Sequence, residues 1–189
     1  DIPDVDTQGL VDYLLSSDFF IAPASTQYHC NFDGGLCLHS LNVYETLVDV
    51  ANKYAPGKYS KSSLIIVGLF HDLAKINFYE KTALNKKIYT ANGSKHDNLG
   101  NFDWFTEEGY KVKDAKDRFL GGEHGFNSMV IVNRYIPLTY EETLAILHHH
   151  FISESGRPLM DITPIYNKYS LCTLLHISDM LATYILELS

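Results

Sequence analysis

The stretch LIIVGLFHDLAK at residues 64–75 decides how the rest of the chain is interpreted. Its first seven residues are apolar on nearly every side, and Ser60–Ser63 can cap a helix start, so the sequence predicts a buried central helix that reaches His71. A histidine and an aspartate then stand together at the end of this helix. Because a charged group is costly to bury alone, we expect the pair His71–Asp72 to contact a metal ion or an ionic partner.

Helical spacing of apolar residues continues on both sides of this helix and predicts a mostly α-helical bundle. Before and at the centre, the predicted helices are a short one that ends near Ser16–Asp18, one from Leu36 to the Pro56–Gly57 stop, and the central helix itself. A fourth helix is predicted over 123–135, and a fifth opens with a capping box of Thr139 and Glu142 and carries His148, His149 and His150. After a turn at Gly156–Pro158, the last helix runs from about Tyr169 to Leu188.

The segment 76–120 differs from the helical parts of the chain. Aromatic residues, short alternating pieces and Gly or Asn turns predict a small β-hairpin there. A length of 189 residues is typical of one domain. We therefore expect residues 1–189 to form a single domain in which 76–120 is an inserted, β-containing excursion.

The composition is that of an ordinary globular domain, with 46% hydrophobic and 20% charged residues. A formal net charge of −8 means that a phosphate-bearing substrate needs a local cationic site. The three cysteines, Cys30, Cys37 and Cys172, include no CxxC pair, which favours free thiols and a cytoplasmic location. Because no apolar stretch approaches the ~20 residues of a membrane span, we expect no membrane partner.

Histidine and carboxylate residues recur on separate predicted helices, and their order is the informative feature of the sequence. They are His39, His71 with Asp72, His124, His149 and Asp179. Imidazole and carboxylate are ligands that Mn, Fe, Co, Ni and Zn accept, and the helices of a bundle can project them into one interior. His39 by itself would more often be an ordinary structural histidine. A nucleophilic pair of Cys30 or Cys37 with His39 would leave this ordered set unexplained.

The order His39, His71–Asp72 and Asp179 resembles the H…HD…D pattern of the HD-domain metal-dependent phosphohydrolases. Three blocks carry the likeness over most of the chain: GGLCLHSLNVY at 34–44, LFHDLAK at 69–75 and LLHISDMLATY at 174–184. They are similar to blocks of the HD phosphodiesterases, above all bacterial HD exoribonucleases and small phage-type HD hydrolases. Leu38 departs from the pattern, because those relatives often carry Glu before the ligand histidine. The resemblance implies an HD-domain helical bundle with a small β-hairpin excursion.

The resemblance also implies a ligand set for divalent transition metals, with two ions per chain. Mn, Fe, Co, Ni or Zn are favoured, and Mg is a further candidate. The first ion would be bound by His39, His71, Asp72 and Asp179, and Asp72 would bridge to the second.

Two more histidines, His124 and His149, match the extra ligands of the binuclear subset of this family. Successive helical positions differ by ~100°, so only one or two of His148, His149 and His150 can face the site. His149 is the preferred ligand and His150 is the second choice. The alternative for the triplet is a solvated helix end near the C-terminal dipole.

Lys75 stands three residues after Asp72, in the HDxxK form that HD phosphodiesterases and nucleases commonly show, whereas many HD nucleotidases have Glu. The resemblance therefore favours cleavage of a diester. A lysine at this spacing can reach a nonbridging phosphate oxygen and offset its charge in the transition state, so Asp72 and Lys75 are the candidate catalytic residues. The alternative is a lysine that only stabilises the dipole of a helix end.

Two further segments could line the approach of a substrate. Tyr28–His29 precedes GGL and joins Lys75 as a candidate substrate-binding group. In the 76–120 insertion, lysines alternate with aromatic residues, as in surfaces that bind single-stranded nucleic acid. These residues are Lys81, Lys86, Lys87, Lys95, Tyr79, Tyr89 and Trp104. The stronger interpretation of the insertion is a satellite core whose edge lysines block aggregation.

The residues and the resemblance together lead us to expect a metal-dependent phosphohydrolase. It would cleave phosphoester bonds in nucleotides or nucleic-acid ends through a metal-activated water. Its partner would be a nucleotide or a single-stranded nucleic acid, and an oligomer is left open. The alternatives are a nucleoside mono- or triphosphate hydrolase, a non-catalytic nucleotide-binding HD module, and a di-iron oxygenase that acts on small alcohols or phosphonates.

Overall fold

The computed structural model describes residues 7–118, 123–150 and 162–187, and this part of the chain is mostly α-helical with one small sheet, as the sequence predicts. The helices are α1 (Thr7–Ser16), α2 (Gly35–Tyr54), α3 (Lys61–Phe70), α4 (His124–Val132), α5 (Tyr140–Leu147), α6 (Thr163–Lys168) and α7 (Ser170–Leu181). The strands are β1 (Tyr79–Tyr89), β2 (Lys95–Asp97) and β3 (Gly100–Val112). Shorter elements are the 3-10 turns Leu73–Lys75 and Ala115–Asp117 and the π-helical turn Ala182–Leu186.

The helical body is built around α2, which packs against α3 and α7, while α5 packs against α3, α4 and α7. One hydrophobic core fills the space between these helices. Its fully buried members include Leu36, Val43 and Leu47 of α2, Val67 of α3, Ile146 of α5 and Leu175 of α7. Burial of this apolar surface is the main favourable term that holds the helices, and therefore their ends, in place.

Local sequence fixes where several helices begin. The Ser60 hydroxyl accepts a hydrogen bond from the Ser63 amide at 3.0 Å and so caps α3. Thr139 opens α5 with the predicted capping box. A Cβ on Gly35 would lie 1.9 Å from the Cys30 carbonyl oxygen, so only glycine lets α2 begin against this loop.

Three helix ends differ from the prediction. Helix α4 ends at Val132 instead of near 135, and α7 ends at Leu181 and continues as the π-helical turn. Helix α5 ends at Leu147, so the histidine triplet follows the helix instead of extending it. The reason is local, because the Ile146 carbonyl accepts from the side chain of His149. The predicted turn at Gly156–Pro158 and the predicted helix end at Leu188 lie outside the described residues.

The insertion forms a larger β structure than the predicted small hairpin. Its antiparallel sheet has the strand order β1–β3–β2, with β1 and β3 paired from Tyr79↔Val112 to Tyr89↔Phe102. The prediction missed β2, because three residues are too few to show an alternating pattern. Within residues 79–112, all of which are described, Phe102 is the only buried strand residue, so the satellite core predicted for the insertion is confined to this side chain.

The cysteines agree with the prediction of free thiols. Cys30 and Cys172 are buried, Cys37 is partly buried, and none of the three forms a disulfide. None of the helices in the described ranges combines the length and apolar character that crossing a membrane requires.

Gly68 allows α3 to lie close to α2. A Cβ at this position would be 2.8 Å from the Tyr44 Cα atom and 3.0 Å from its Cβ atom. We expect Gly68→Ala to lower the free energy of unfolding by ~1–3 kcal/mol, because the two helices must separate to admit the methyl group. Urea denaturation measures this change. The control Lys61→Ala, at an exposed position of α3, should change the value by less than ~0.5 kcal/mol. An unchanged unfolding midpoint for Gly68→Ala would contradict this close packing.

Candidate metal centre

Five segments of the chain bring histidine and carboxylate side chains into one cluster. They are His39 on α2, His71 and Asp72 directly after α3, His124 at the start of α4, His149 and His150 after α5, and Asp179 near the end of α7. Most of these side chains are almost completely buried, and His150 is the most exposed of them. The residues that the sequence predicts as ligands therefore lie together.

Asp72 stands between two groups of imidazoles. Its Oδ2 atom lies 3.5 Å from Nε2 of His39 and 3.5 Å from Nε2 of His71. Its Oδ1 atom lies 3.5 Å from Nε2 of His149 and 3.7 Å from Nε2 of His124. Each carboxylate oxygen thus faces a different pair of nitrogen atoms.

These side chains form groups that could hold a metal ion. One group consists of His39, His71 and Asp179, and another consists of Asp72, His124, His149 and His150. In each group the potential ligand atoms lie within 4.8 Å of one another. A third group, His29, His39 and Glu187, shares His39 with the first.

Backbone carbonyls orient two of the histidines toward the centre. His71 donates from Nδ1 to the Gly68 carbonyl at 2.9 Å, and His149 donates from Nδ1 to the Ile146 carbonyl at 2.7 Å. A carbonyl oxygen can only accept, so the proton of each neutral ring sits on Nδ1 and the lone pair of Nε2 points into the cluster. This is the tautomer that a metal-binding histidine uses.

Two buried atoms at the middle of the cluster have no hydrogen-bond partner among the residues that the structure describes. They are Nε2 of His71 and Oδ1 of Asp72. A buried polar atom without a partner costs roughly 1–3 kcal/mol, and more when it is charged. A divalent cation beside these atoms would satisfy both a nitrogen lone pair and a carboxylate oxygen. The residues present therefore fit a metal ion.

The cluster concentrates negative charge, and neighbouring cations partly balance it. Lys75 Nζ lies 2.7 Å from Asp72 Oδ2, and although burial raises the pKa of Asp72, this ammonium holds it well below its usual range. Burial also lowers the pKa of His39, but hydrogen bonds to buried carboxylates outweigh it and raise this pKa to about 9. Burial lowers the pKa of His71 to about 4, so this ring is neutral at pH 7.

The triplet His148, His149 and His150 does not lie on a helix, although the sequence predicts that it does. Because α5 ends before it, the ~100° spacing of a helix does not apply, and two consecutive residues reach the cluster. His149 is 1% exposed, and its Nε2 lies 3.0 Å from Nε2 of His124. His150 lies nearer the surface, with Nδ1 3.9 Å from Asp179 Oδ2. The side chain of His148 belongs to none of the potential metal groups of the described residues.

A cavity of about 590 Å³ opens over the cluster. It is lined by Asp72, Lys75, His150 and Asp179 together with Tyr28, His29, His176, Met180, Thr183 and Tyr184. Tyr28 is 79% exposed, whereas both ring nitrogens of His29 are buried and have no hydrogen-bond partner within the described ranges of the chain. The three residues that the sequence predicts as substrate-binding, Tyr28, His29 and Lys75, therefore line one cavity with the potential ligands.

The four lysines that alternate with aromatic residues in the insertion do not line this cavity. Lys81 pairs with Asp33 at 2.8 Å, Lys86 pairs with Glu107, and Lys87 pairs with Asp97 at 2.5 Å. The Lys95 ammonium lies 6.0 Å from the centre of the Trp104 ring. Three of the four lysines are thus engaged with carboxylates of the protein itself.

Two residues beside the centre were missed by the prediction. His176 donates from Nδ1 to the His149 carbonyl at 2.6 Å, and its position three residues before Asp179 places both on one face of α7. Helical spacing could therefore have identified His176. Glu187, which accepts from His39, lies beyond the α-helical part of this segment and has no comparable signal in the sequence.

The neighbouring histidines 148 and 149 provide a matched test of the centre. We expect His149→Ala to lower the content of bound Mn²⁺ per chain, because it removes a buried nitrogen that faces Asp72, whereas His148→Ala should retain the wild-type content. Metal analysis after equilibrium dialysis against Mn²⁺ measures both, and circular dichroism checks that each variant is folded. Equal metal content in the two variants would contradict the placement of His149.

Comparison with protein-family models, characterised proteins and solved structures finds no match to this chain. What the centre can do therefore has to be inferred from its own groups. These are two sets of nitrogen and oxygen atoms around a shared carboxylate, and a cavity above them that is large enough for a small-molecule substrate.

Proposed function

We propose that this chain is a metal-dependent phosphohydrolase of the HD-domain type, which cleaves phosphoester bonds in nucleotides or at nucleic-acid ends. The observation that carries the proposal is the position of Asp72, whose two oxygens face different pairs of imidazoles. A carboxylate shared in this way suits two divalent cations. The motif blocks quoted above, which resemble those of the HD phosphodiesterases, supply the second support.

The ligand chemistry favours transition metals. His39, His71 and Asp179 would hold one ion together with Asp72, whose Oδ2 atom lies 3.5 Å from Nε2 of both histidines. Asp72, His124, His149 and His150 would hold the other. Mixed imidazole and carboxylate ligands suit Mn, Fe, Co, Ni and Zn, whereas Mg prefers oxygen ligands. When bound, the two ions would supply a water of lowered pKa and positive charge for the oxygens of the phosphate.

Lys75 would bind the phosphate from the cavity side. Its side chain is 15% exposed, so a substrate can reach the ammonium, and its pairing with Asp72 at 2.7 Å fixes its position. An ammonium held in this way can donate to a nonbridging oxygen as that oxygen gains charge. Such a contact stabilises the transition state more than the bound substrate, which is the condition for raising turnover.

Tyr28 and His29 would bind the remainder of the substrate. The exposed ring of Tyr28 offers a surface on which a nucleobase can stack. Burial, with a smaller effect of Lys75, lowers the pKa of His29 to about 4, so this ring is neutral at pH 7 and can both donate and accept a hydrogen bond. The spacing of Lys75 in HDxxK favours a diester over a monoester.

A substrate and metal panel tests the proposed function. The protein, prepared without chelator, is incubated with Mn, Co, Ni, Fe, Zn or Mg and with oligonucleotides, nucleoside mono- and triphosphates, and a chromogenic phosphodiester. Release of mononucleotides or of the chromogenic group supports the proposal. Release of phosphate or triphosphate from nucleotides alone would favour the nucleotidase. Binding without turnover would favour the nucleotide-binding module, and oxygen consumption with Fe would favour the oxygenase.

Asp72→Asn should nearly abolish hydrolysis. The change keeps the size of the side chain but removes the charge that two cations would share, so both activity and metal content should fall. Activity on the confirmed substrate and metal analysis measure the two effects. A variant that kept two ions and wild-type turnover would show that Asp72 is not the bridging ligand.

Lys75→Met should lower turnover by ~10²–10³, the loss seen when one transition-state donor is removed. Metal content should be retained. In the absence of metal the variant should also be less stable, by roughly 3 kcal/mol, because the buried Asp72 loses its cation. Added Mn²⁺ should reduce this difference in stability, since the ions replace the missing charge.

Lys111→Met is the matched control, because this lysine also pairs with a carboxylate, that of Glu80 at 2.9 Å, but lies on the sheet. It should leave turnover and metal-free stability nearly unchanged. Steady-state kinetics and thermal melting with and without Mn²⁺ distinguish the two variants. An intact rate in Lys75→Met would exclude a contact between Lys75 and the phosphate.

A further inference from the structure

Glu187 is a buried carboxylate beside the centre that the proposed function does not use. Its two oxygens, Oε1 and Oε2, lie 3.1 and 3.0 Å from Nδ1 of His39. Asp179 Oδ1 lies 3.3 Å from the other ring nitrogen, Nε2. His39 is therefore held between two carboxylates, one on each side of its ring.

The π-helical turn Ala182–Leu186 places Glu187 there. Each residue of an α-helix turns by ~100°, so eight residues of α-helix would leave Glu187 about 80° away from the direction of Asp179. The π turn is closed by the Glu187 amide, which donates to the Ala182 carbonyl at 3.0 Å, and it contains one more residue than an α-turn. This wider turn returns Glu187 to the side of Asp179. π-turns occur frequently at functional sites.

Other side chains hold the Glu187 carboxylate in place. The Asn42 amide donates to Oε1 at 2.9 Å from α2, three residues after His39. The Cys30 thiol also hydrogen-bonds to this carboxylate. His39, Asn42 and Cys30 all present a hydrogen to Glu187, which is the arrangement expected for a fixed, ionised acceptor.

Two roles are chemically open to Glu187. It could be a direct ligand in the group His29, His39 and Glu187, or it could orient His39 for an ion on the other side of the ring. A neutral imidazole has only one ring nitrogen with a free lone pair, so His39 can coordinate an ion through Nδ1 or through Nε2 but not through both. Nε2 faces Asp179 and Asp72, whereas Nδ1 is already engaged by Glu187. The second role therefore agrees with more of the contacts.

We propose that Glu187 is a positioning residue that accepts the Nδ1 hydrogen of His39 and so directs the Nε2 lone pair at the ion bound with His71 and Asp179. This inference rests on the proposed function. The carbonyls that orient His71 and His149 are neutral, whereas Glu187 is charged and makes His39 a stronger ligand than either. His39 would thus determine how tightly the first ion is held.

Metal affinity tests this role. Glu187→Ala should lower the affinity of the protein for one of the two ions by ~10–100-fold, the usual effect of losing a carboxylate behind a ligating histidine. Glu187→Gln keeps an acceptor but not the charge, so its effect should be smaller and in the same direction. Both variants should still bind two ions at saturating metal. Calorimetric titration with Mn²⁺ gives the affinities, and the absorption spectrum of the Co²⁺-loaded protein reports the changed ligand field.

Two controls separate positioning from other roles. Glu45→Gln neutralises an exposed carboxylate on α2 and should leave both affinities unchanged. His29→Ala should also bind two ions with unchanged affinity. Loss of one ion at saturation in both Glu187→Ala and His29→Ala would overturn the proposal in favour of a direct ligand.

Other outcomes overturn the proposal in a distinguishable way. Unchanged affinities and an unchanged Co²⁺ spectrum, with only a lower melting temperature, would reduce Glu187 to a structural role while leaving the proposed function intact. A wild-type protein that binds no divalent ion would overturn both. If Glu187→Ala does not fold, the same titrations are made with Glu187→Gln and Asn42→Ala. Asn42→Ala removes one hydrogen bond to the Glu187 carboxylate, so it should lower the affinity for the same ion.

Discussion

The buried charge of Asp72 is the constraint on which the rest of this structure depends. Helix α3 is too apolar to solvate it, so every compensating group has to come from elsewhere: Lys75 from the following turn, and imidazoles from α2, α4 and the end of α5. Lys75 is a local partner, but the imidazoles from the other helices reach the carboxylate only when those helices have packed. Assembly of the core and neutralisation of this charge are therefore coupled, and a centre of this kind is formed only by the complete helical body.

Much of the fold and of the centre follows from local sequence. The contrast between the apolar residues of α3 and the pair His71–Asp72 identifies the centre, because burial and charge cannot coexist there without partners. The cap of α5 depends on residues three positions apart, so it is also readable from the chain. Glu187 was not predictable, since its position depends on a π turn that periodicity analysis does not describe. The triplet was misplaced in a helix because the end of α5 depends on a side-chain contact, from His149 to the Ile146 carbonyl.

The inserted sheet contacts the loop of residues 24–33, which lies between the sheet and the centre. Asp33 accepts from Lys81 at 2.8 Å and from the hydroxyl of Tyr110, and the Tyr79 hydroxyl donates to the Ala24 carbonyl at 3.3 Å. These contacts hold the segment 24–33, which carries Tyr28 and His29 into the cavity wall. The strands themselves remain largely exposed. The described part of the insertion, residues 76–118, thus supports the wall of the cavity from outside, and none of its residues lines the cavity.

The π turn after α7 has a consequence for how such a centre can diverge. A chain of the same length that continued as a regular α-helix through 182–186 would keep Asp179, yet the carboxylate of Glu187 would point about 80° away from His39. A chain with one residue fewer there could be α-helical throughout and still present its carboxylate to His39, because seven α-helical residues return to within about 20° of the starting direction. The hydrogen-bonding pattern of this segment, and not only residue identity, is therefore a variable through which a lineage of such proteins can adjust how firmly the first ion is held.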